Sequence, residues 1–127
     1  MNKQIIKTDQ APAAIGPYSQ AVRVDNWLFL SGQIPINPAT SQLVENNIVK
    51  QTEQVLNNIK AVLESAGGTM ESIVKTNVYL KDLNDFTAMN EVYARYFTKD
   101  FPARATVQAA KLPKDVLVEI DAIAILK

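Results

Sequence analysis

The sequence predicts an α+β fold, a sheet with two helices packed on one of its faces. Three observations lead to this prediction. Two segments repeat apolar residues at helical spacing, several others alternate apolar and polar residues as strands do, and the two kinds of segment are interspersed along 127 residues. A chain of this length fits one domain, 1–127, with a core that needs neither disulfides nor a structural metal.

The N-terminal part predicts strands and loops. A short opening strand is followed by a loop over residues 9–17, whose prolines and glycine interrupt regular structure. Residues 20–24 and 27–31 then predict a hairpin about Asp25 and Asn26, since both tolerate the positive φ of a tight turn. We expect Gly32 to end the second of these strands, and a loop to follow at residues 35–38.

Two helices are predicted from apolar stripes. Thr52 shares the first stripe, which is formed by Ile48, Val55, Ile59, Val62, Leu63 and Ala66. Gly67 and Gly68 supply its C-terminal stop. The second stripe is formed by Leu83, Phe86, Met89, Val92, Tyr93, Tyr96 and Phe97. Asp82 or Asn84 is the expected cap of this second helix.

Three further strands are predicted in the C-terminal half. Residues 72–80 alternate, with Val74, Thr76, Val78 and Leu80 on one face. The last two strands run over about residues 105–110 and 116–126, joined by a link at residues 111–115. The final strand presents a wholly apolar face to the helices, formed by Val116, Val118, Ile120, Ala122, Ala124 and Leu126. Large apolar groups on the opposite face predict that a second copy of the chain covers it.

Composition limits the possible chemistry. The chain has no histidine and no cysteine, which excludes thiol nucleophiles, disulfides, Ser-His pairs and metal sites built on those residues. A general base must then be a carboxylate, tyrosine, lysine or water. Asp82 and Asp85 lie where helix caps and first-turn acids belong, so we expect no metal there.

Charge and hydropathy argue against two classes of partner. Thirteen basic and thirteen acidic residues cancel, so no positive field favours nucleic acid or an acidic membrane surface. No apolar run has the length of a membrane span, and the N-terminus lacks the apolar core of a signal peptide. We expect a cytoplasmic protein without nucleic-acid or membrane partners.

Two charged residues stand in apolar surroundings near the C-terminus. Arg104 opens an apolar strand, and Glu119 interrupts the most hydrophobic stretch of the chain, where an unpaired charge is expensive to bury. If the last two strands form a hairpin about Pro113, residue 107 faces Glu119 and Arg104 lies roughly 10 Å further along. A small ligand between the two charges is then as well supported as a structural ion pair of Arg104 with Asp121.

Several separated segments resemble the Rid family of reactive-intermediate deaminases, RidA type. The matching segments, in chain order, are Ala14–Ala21, Leu30–Pro35, Asn90–Tyr93, Pro102–Val107, Ala110–Val116 and Val118–Ile120. Together they span essentially the whole chain, which makes the resemblance far more specific than any one motif.

The resemblance implies a chorismate-mutase-like protomer with a mixed sheet and two helices on one face. It also implies a homotrimer with clefts between neighbouring subunits. The implied reaction is hydrolysis of 2-iminobutanoate, 2-iminopropanoate and their enamine tautomers, released by pyridoxal-phosphate enzymes, to 2-keto acids and ammonia. A protonated imine is already a strong electrophile, so no cofactor and no metal is expected.

The resemblance also assigns catalytic roles to three residues. Arg104 is the arginine that grips the substrate carboxylate, a task suited to its planar bidentate fork. Glu119 is the acid that orients or deprotonates the attacking water and manages protons on the departing nitrogen. Tyr18 is a hydroxyl donor in the cleft. Without the resemblance, Glu119 is equally a buried ion-pair member and Tyr18 a packing residue.

Four more residues are implied to bind substrate. Ser31 and Gly32 line the cleft, where small residues let a ligand approach the backbone. Asn90 is a polar cleft residue on the second helix, although the sequence alone predicts a solvated edge there. Thr106 occupies a position where many relatives carry cysteine, so its backbone contact to the carboxylate survives while thiol chemistry does not.

Two rival functions remain open from the sequence. The same cleft suits a module that binds a small carboxylate, such as a keto acid, and regulates another protein without turnover. A nuclease or translation inhibitor is suggested by activities claimed for some relatives, and the neutral charge and missing histidine count against it.

Overall fold

A computed structural model of the chain describes residues 2–97 and 99–127. Its strands are β1 (Lys3–Ile6), β2 (Ala21–Val24), β3 (Trp27–Gln33), β4 (Ile36–Asn37), β5 (Gln42–Leu43), β6 (Ile73–Leu80), β7 (Ala103–Gln108) and β8 (Val118–Ile125). Six of them form one sheet in the order β1-β2-β3-β8-β6-β7, while β4 and β5 form a separate small hairpin. Within the large sheet β6 and β7 are parallel and the other pairs antiparallel. The sheet is therefore mixed.

Two α-helices accompany the sheet, as the apolar stripes predict. The first, α1, covers Ile48–Ser65, and the second, α2, covers Phe86–Tyr96. The side chain of Asn47 caps α1 by accepting a hydrogen bond from the Lys50 N–H. Gly67, with φ of 85°, ends this helix, so the predicted stop is confirmed.

The core lies between the helices and one face of the sheet. Strand β8 is central in the sheet. The apolar residues of this strand and its flanks that face α1 and α2 are all buried, which confirms the predicted alternation, namely Val116, Val118, Ile120, Ala122, Ala124 and Leu126. These contacts confirm the predicted α+β class with two helices on one face.

The predicted hairpin between the last two strands is wrong. Strand β6 lies between β7 and β8, and pairs with both of them. The reason is the helix between β6 and β7, because a strand that returns after a helical crossover lies parallel and beside the strand it left. Val107 and Glu119 are still level across the sheet, but Tyr79 of β6 stands between them.

Local irregularities account for most other differences from the predicted pattern. Val74 was predicted on one face with Thr76, Val78 and Leu80. Those three are buried and Val74 is 41% exposed, because a register shift between Ile73 and Lys75 inserts one extra residue in β6. Strand β3 continues through Gly32, where the sequence predicts its end. The predicted loop at residues 35–38 contains β4.

The start of the second helix also differs from the prediction. Residues Leu83–Asp85 form a 3-10 turn, whose Asp82 cap accepts a hydrogen bond from the Asn84 N–H, and α2 begins only at Phe86. As a result Leu83 is exposed, and Phe86 lies at the rim of the core rather than inside it. The remaining buried members of the stripe, Met89, Val92, Tyr93 and Phe97, are confirmed.

The sheet face that points away from the helices carries an exposed apolar patch. Trp27 stacks on Phe29 there, and Ile125, which pairs with Trp27, is also exposed. Val107 is exposed on the same face at the β7 edge of the sheet. Nothing in the described part of the single chain covers these groups. Among the same residues, no helix has the length and apolarity needed to cross a bilayer.

We predict that Gly67→Ala lowers the free energy of unfolding by about 1 kcal/mol, because an L side chain is strained at positive φ. No atom lies within 4 Å of where the new Cβ would stand, so crowding adds nothing. Gly67→Asn should lose roughly half as much, since asparagine enters the left-handed region more readily. Thermal melts measure both variants, and equal losses would contradict this account of the helix end.

Candidate functional site

Arg104 lies on β7, an edge strand, with its side chain on the helix side of the sheet. The parallel register pairs Arg104 with Thr76, whose buried side chain points toward the helices. The Arg104 Cζ is 5.5 Å from the Phe86 ring centroid and 4.8 Å from that of Tyr93, both on α2. Both distances lie within cation–π range. The guanidinium is therefore held against two aromatic rings.

No carboxylate in the described part of the chain pairs with this arginine. The salt bridges among residues 2–97 and 99–127 join Lys50 to Glu45, Lys81 to Asp115 and Arg95 to Glu53. Asp121, the structural partner considered from the sequence, instead accepts hydrogen bonds from Asn77 Nδ2 at 2.9 Å and from the Tyr79 hydroxyl at 3.3 Å. The hypothesis of an Arg104–Asp121 ion pair is wrong.

Two buried polar atoms without partners lie on the same side of β7. Asn90 sits between Phe86 and Tyr93 on one face of α2, and Thr106 follows Arg104 by two residues on β7. The Asn90 Oδ1 and the Thr106 Oγ1 are buried and have no hydrogen-bond partner in the described structure. Asn90 as a whole is partly buried, so it lies between the solvated edge that the sequence alone predicts and a buried position. We call Arg104, Thr106, Asn90, Phe86 and Tyr93 the arginine half-site.

Glu119 lies on the opposite face of the sheet, over an irregular point of β3. Leu30 pairs with Ala122 and Gln33 with Ile120, so Ser31 and Gly32 together oppose the single residue between those partners. This is a β-bulge, a feature common beside active sites. A methyl group at Gly32 would collide with the Glu119 carboxylate, so glycine lets that side chain keep the position it has here.

The N-terminal loop that carries Tyr18 is hydrogen-bonded to the same bulge. The Ser31 hydroxyl donates to the Ser19 carbonyl at 2.5 Å, and the Ser31 N–H donates to the Gln20 carbonyl at 3.0 Å. These bonds fix the segment that carries Tyr18, whose ring is half exposed and whose hydroxyl accepts from the Ile15 N–H at 3.3 Å. We call Glu119, Gly32, Ser31 and Tyr18 the carboxylate half-site.

The surroundings of Glu119 shift the pKa of its carboxyl group. Burial raises the pKa of Glu119 above the usual range of a glutamate, and the negative charge of Asp121 raises it further. No hydrogen-bond donor to the Glu119 carboxylate is present in the described residues to oppose this effect. The side chain can therefore hold a proton at a higher pH than an exposed glutamate.

The two half-sites do not meet within one chain. Arg104 is level with Ala122 across β6, and Glu119 lies three residues from that level on a strand two positions away. At about 3.4 Å per residue and 4.8 Å per strand, the two Cα atoms are about 14 Å apart. The side chains also point to opposite faces. The site expected within one hairpin therefore does not exist in one chain.

Comparison with known proteins identifies the family. The family model described as endoribonuclease L-PSP matches residues 8–126 of the chain. A crystal structure of a Rid family protein, YyfA of Yersinia pestis, superposes with a TM-score of 0.97 at 53% identity, covering 98% of this chain and 100% of that one. The chain belongs to the Rid family.

Other relatives match over nearly the whole chain. A RutC family protein of Pyrococcus abyssi is 55% identical over 124 residues, which is 98% of each chain. A protein of Capra hircus named 2-iminobutanoate/2-iminopropanoate deaminase is 51% identical, covering 97% of this chain and 90% of that one. The structure of E. coli TdcF with bound serine has a TM-score of 0.93 at 43% identity, covering 98% and 99% of the two chains.

The sequence left two members of the arginine half-site, and the neighbouring Thr76, unrecognised. Phe86 and Tyr93 were assigned only to the apolar stripe of a helix, and Thr76 only to a strand face. The seven-residue spacing of Phe86 and Tyr93 was a usable signal for the two rings, because it places them on one face of the helix. Their contact with Arg104 depends on the parallel pairing of β6 and β7, which no local pattern encodes.

We predict that Glu119→Gln raises the melting temperature at pH 7.5. A raised folded-state pKa means that folded Glu119 holds its proton more readily than the unfolded chain does. The contribution of this carboxyl group to the free energy of unfolding is fully present below its pKa in the unfolded chain, about 4.3. It is lost as the pH rises through the folded pKa, so the neutral variant gains at pH 7.5 and the gain vanishes toward pH 4.

Thermal melts between pH 4 and pH 8 measure this difference. Glu91→Gln is the matched control, because Glu91 is an exposed acid in the middle of α2. It corrects for the loss of one negative charge. A Glu119→Gln variant less stable than the control at pH 7.5 would contradict a destabilising burial of the carboxylate.

Proposed function

We propose that the protein hydrolyses 2-imino acids, such as 2-iminobutanoate and 2-iminopropanoate, to 2-keto acids and ammonia. One observation carries the proposal: Arg104 is ordered by two aromatic rings, lacks a carboxylate partner in the described residues, and lies beside two buried unpartnered oxygens. A fixed guanidinium without an acid is a site for a small anion. The Capra hircus relative supports the reaction by its name.

The substrate carboxylate binds Arg104 in this proposal. A planar guanidinium can donate two parallel hydrogen bonds to a carboxylate, which fixes the orientation of the carbon next to it. In a 2-imino acid that neighbouring carbon is the electrophilic C=N carbon. The Oδ1 of Asn90 and the Oγ1 of Thr106 can accept from a donor on the substrate or on a water molecule. The serine held by E. coli TdcF likewise carries a carboxylate beside a carbon that bears nitrogen.

Glu119 handles protons in the proposed reaction. As the carboxylate, it accepts a proton from the water that adds to the C=N carbon, which gives a tetrahedral carbinolamine. As the acid, it returns that proton to the nitrogen. The C–N bond then breaks to release ammonia, while the carbinolamine hydroxyl gives its proton to the Glu119 carboxylate and becomes the carbonyl of the keto acid. The raised pKa suits this exchange, because the ideal acid-base group titrates near the working pH. The hydroxyl of Tyr18 is an additional donor to water or substrate, and neither metal nor cofactor is required.

The complete site requires two copies of the chain. The arginine half-site and the carboxylate half-site lie on opposite faces, so one substrate reaches both only where two subunits meet. The uncovered apolar face beside Trp27 and Phe29 supplies a surface for that contact. We propose a homotrimer, in which each cleft combines the arginine half-site of one subunit with the carboxylate half-site of its neighbour.

A binding module is the second candidate function. The arginine half-site alone accounts for carboxylate binding, and the serine bound by E. coli TdcF is compatible with a ligand that is held rather than consumed. The two candidates differ in turnover. Calorimetry with 2-ketobutyrate and an assay of imine hydrolysis separate them, because saturable binding without hydrolysis would favour the module.

We predict that Arg104→Lys lowers kcat/KM for imine hydrolysis about 30- to 100-fold. Lysine keeps the charge but loses the bidentate hydrogen bonds to the carboxylate, which contribute roughly 2–3 kcal/mol. Arg104→Ala should abolish measurable turnover. Ammonia release is measured while an amino acid oxidase generates the imine in the same cuvette.

Arg95→Lys is the matched control, because Arg95 is an exposed arginine on α2 that pairs with Glu53. Its activity should equal that of the unchanged protein. Full turnover by a folded Arg104→Ala variant would overturn the proposed function. Cleavage of RNA by the same purified sample, lost in Arg104→Ala, would support the nuclease alternative instead.

A further inference from the structure

Tyr93 of the arginine half-site forms a buried polar pair with Thr76. The Thr76 Oγ1 and the Tyr93 hydroxyl are 2.8 Å apart and hydrogen-bonded, and both residues are buried. Burial raises the pKa of Tyr93, so its hydroxyl stays protonated through the neutral range. A valine at position 76 would fill the same core position without a polar group. The hydroxyl pair therefore needs an explanation other than packing.

The pair lies at the level of Arg104. Strands β6 and β7 place Thr76 directly opposite Arg104 in the parallel register, with both side chains toward the helices. Tyr93 contacts both residues, because its hydroxyl is hydrogen-bonded to Thr76 and its ring centroid lies 4.8 Å from the Arg104 Cζ. The ring of Phe97 also packs against the ring of Tyr93, with the two ring centroids 4.6 Å apart. The Tyr93 ring is thus fixed at its hydroxyl and by a neighbouring ring.

Phe86 supplies a second ring at the exposed rim. It lies seven residues before Tyr93 on the same face of α2, 5.5 Å from the Arg104 Cζ. An arginine on an edge strand otherwise samples many rotamers and loses that freedom when it binds a ligand. Rings that hold the guanidinium in advance reduce this entropic cost.

We propose that Tyr93 and Phe86 are positioning residues that orient the Arg104 guanidinium for the substrate carboxylate, with Thr76 fixing the Tyr93 ring. The inference rests on the proposed function, since it assigns the ligand of Arg104 as a carboxylate. It goes further in assigning binding roles to three residues that touch no reacting atom. Their contribution is to carboxylate affinity, and it is the same for bound substrate and transition state, so it affects KM rather than kcat.

The test uses variants that keep size and remove hydroxyls. Tyr93→Phe and Thr76→Val each leave one buried hydroxyl without its partner, and each should lower the melting temperature. The double variant Tyr93→Phe/Thr76→Val leaves neither hydroxyl, so its melting temperature should recover. The ring remains unanchored in all three variants. We therefore expect KM for the imine, and Kd for 2-ketobutyrate, to rise about fivefold in all three with kcat within about twofold.

Phe86→Leu tests the rim ring with little burden on folding, because Phe86 is partly exposed. It should raise KM by about the same factor with an unchanged melting temperature. Leu83→Ala is the matched control, as an exposed apolar residue one turn away, and should leave KM unchanged.

Recovery of KM together with the melting temperature in the double variant would overturn the inference, since the hydroxyls would then act only on stability. An unchanged KM in Phe86→Leu and in every Tyr93 variant would overturn it as well. Failure of the proposed function looks different, because the unchanged protein itself would then neither hydrolyse the imine nor bind 2-ketobutyrate.

Discussion

The pairing of β6 with β7 is the constraint on which the rest of the structure depends. A parallel pair requires a helical crossover, and α2 supplies it. The crossover places β7 at the edge of the sheet, with Arg104 under the same helix that forms the crossover. It also leaves β8 on the far side of β6. The separation of Arg104 from Glu119 within one chain follows from this single pairing.

Each half-site leaves its charged group without an opposite charge among the described residues. The Arg104 guanidinium contacts two aromatic rings and no carboxylate there, so it is oriented and available to a ligand. The Glu119 carboxyl is partly buried beside the like-charged Asp121 and contacts no cation there, so it holds a proton readily. Neither arrangement contributes much to the stability of one chain. In the proposed function, both serve a substrate whose carboxylate binds Arg104 and whose neighbouring carbon is attacked by water.

The sequence predicted the elements whose apolar residues repeat with a local period. The stripe of α1 and the alternation of β8 are strong because each element buries one face, and both predictions are confirmed. The hairpin about Pro113 was wrong because strand pairing over a helical crossover is a non-local property. The bulges at Val74 and at Gly32 were missed because one inserted residue leaves no local signal. Ser31 and Gly32 came from the family resemblance, while Phe86 and Tyr93 required the register of β7.

The most direct test of the account is whether two defective chains complement each other. Arg104→Ala and Glu119→Gln chains, each inactive alone, are co-expressed with different tags, and trimers that carry both tags are isolated. Every mixed trimer should contain one cleft with both native residues, so activity should return to about a third of that of the unchanged protein. Mixed trimers without activity would contradict a cleft shared between subunits, and with it the central claim that Arg104 and Glu119 act from different chains.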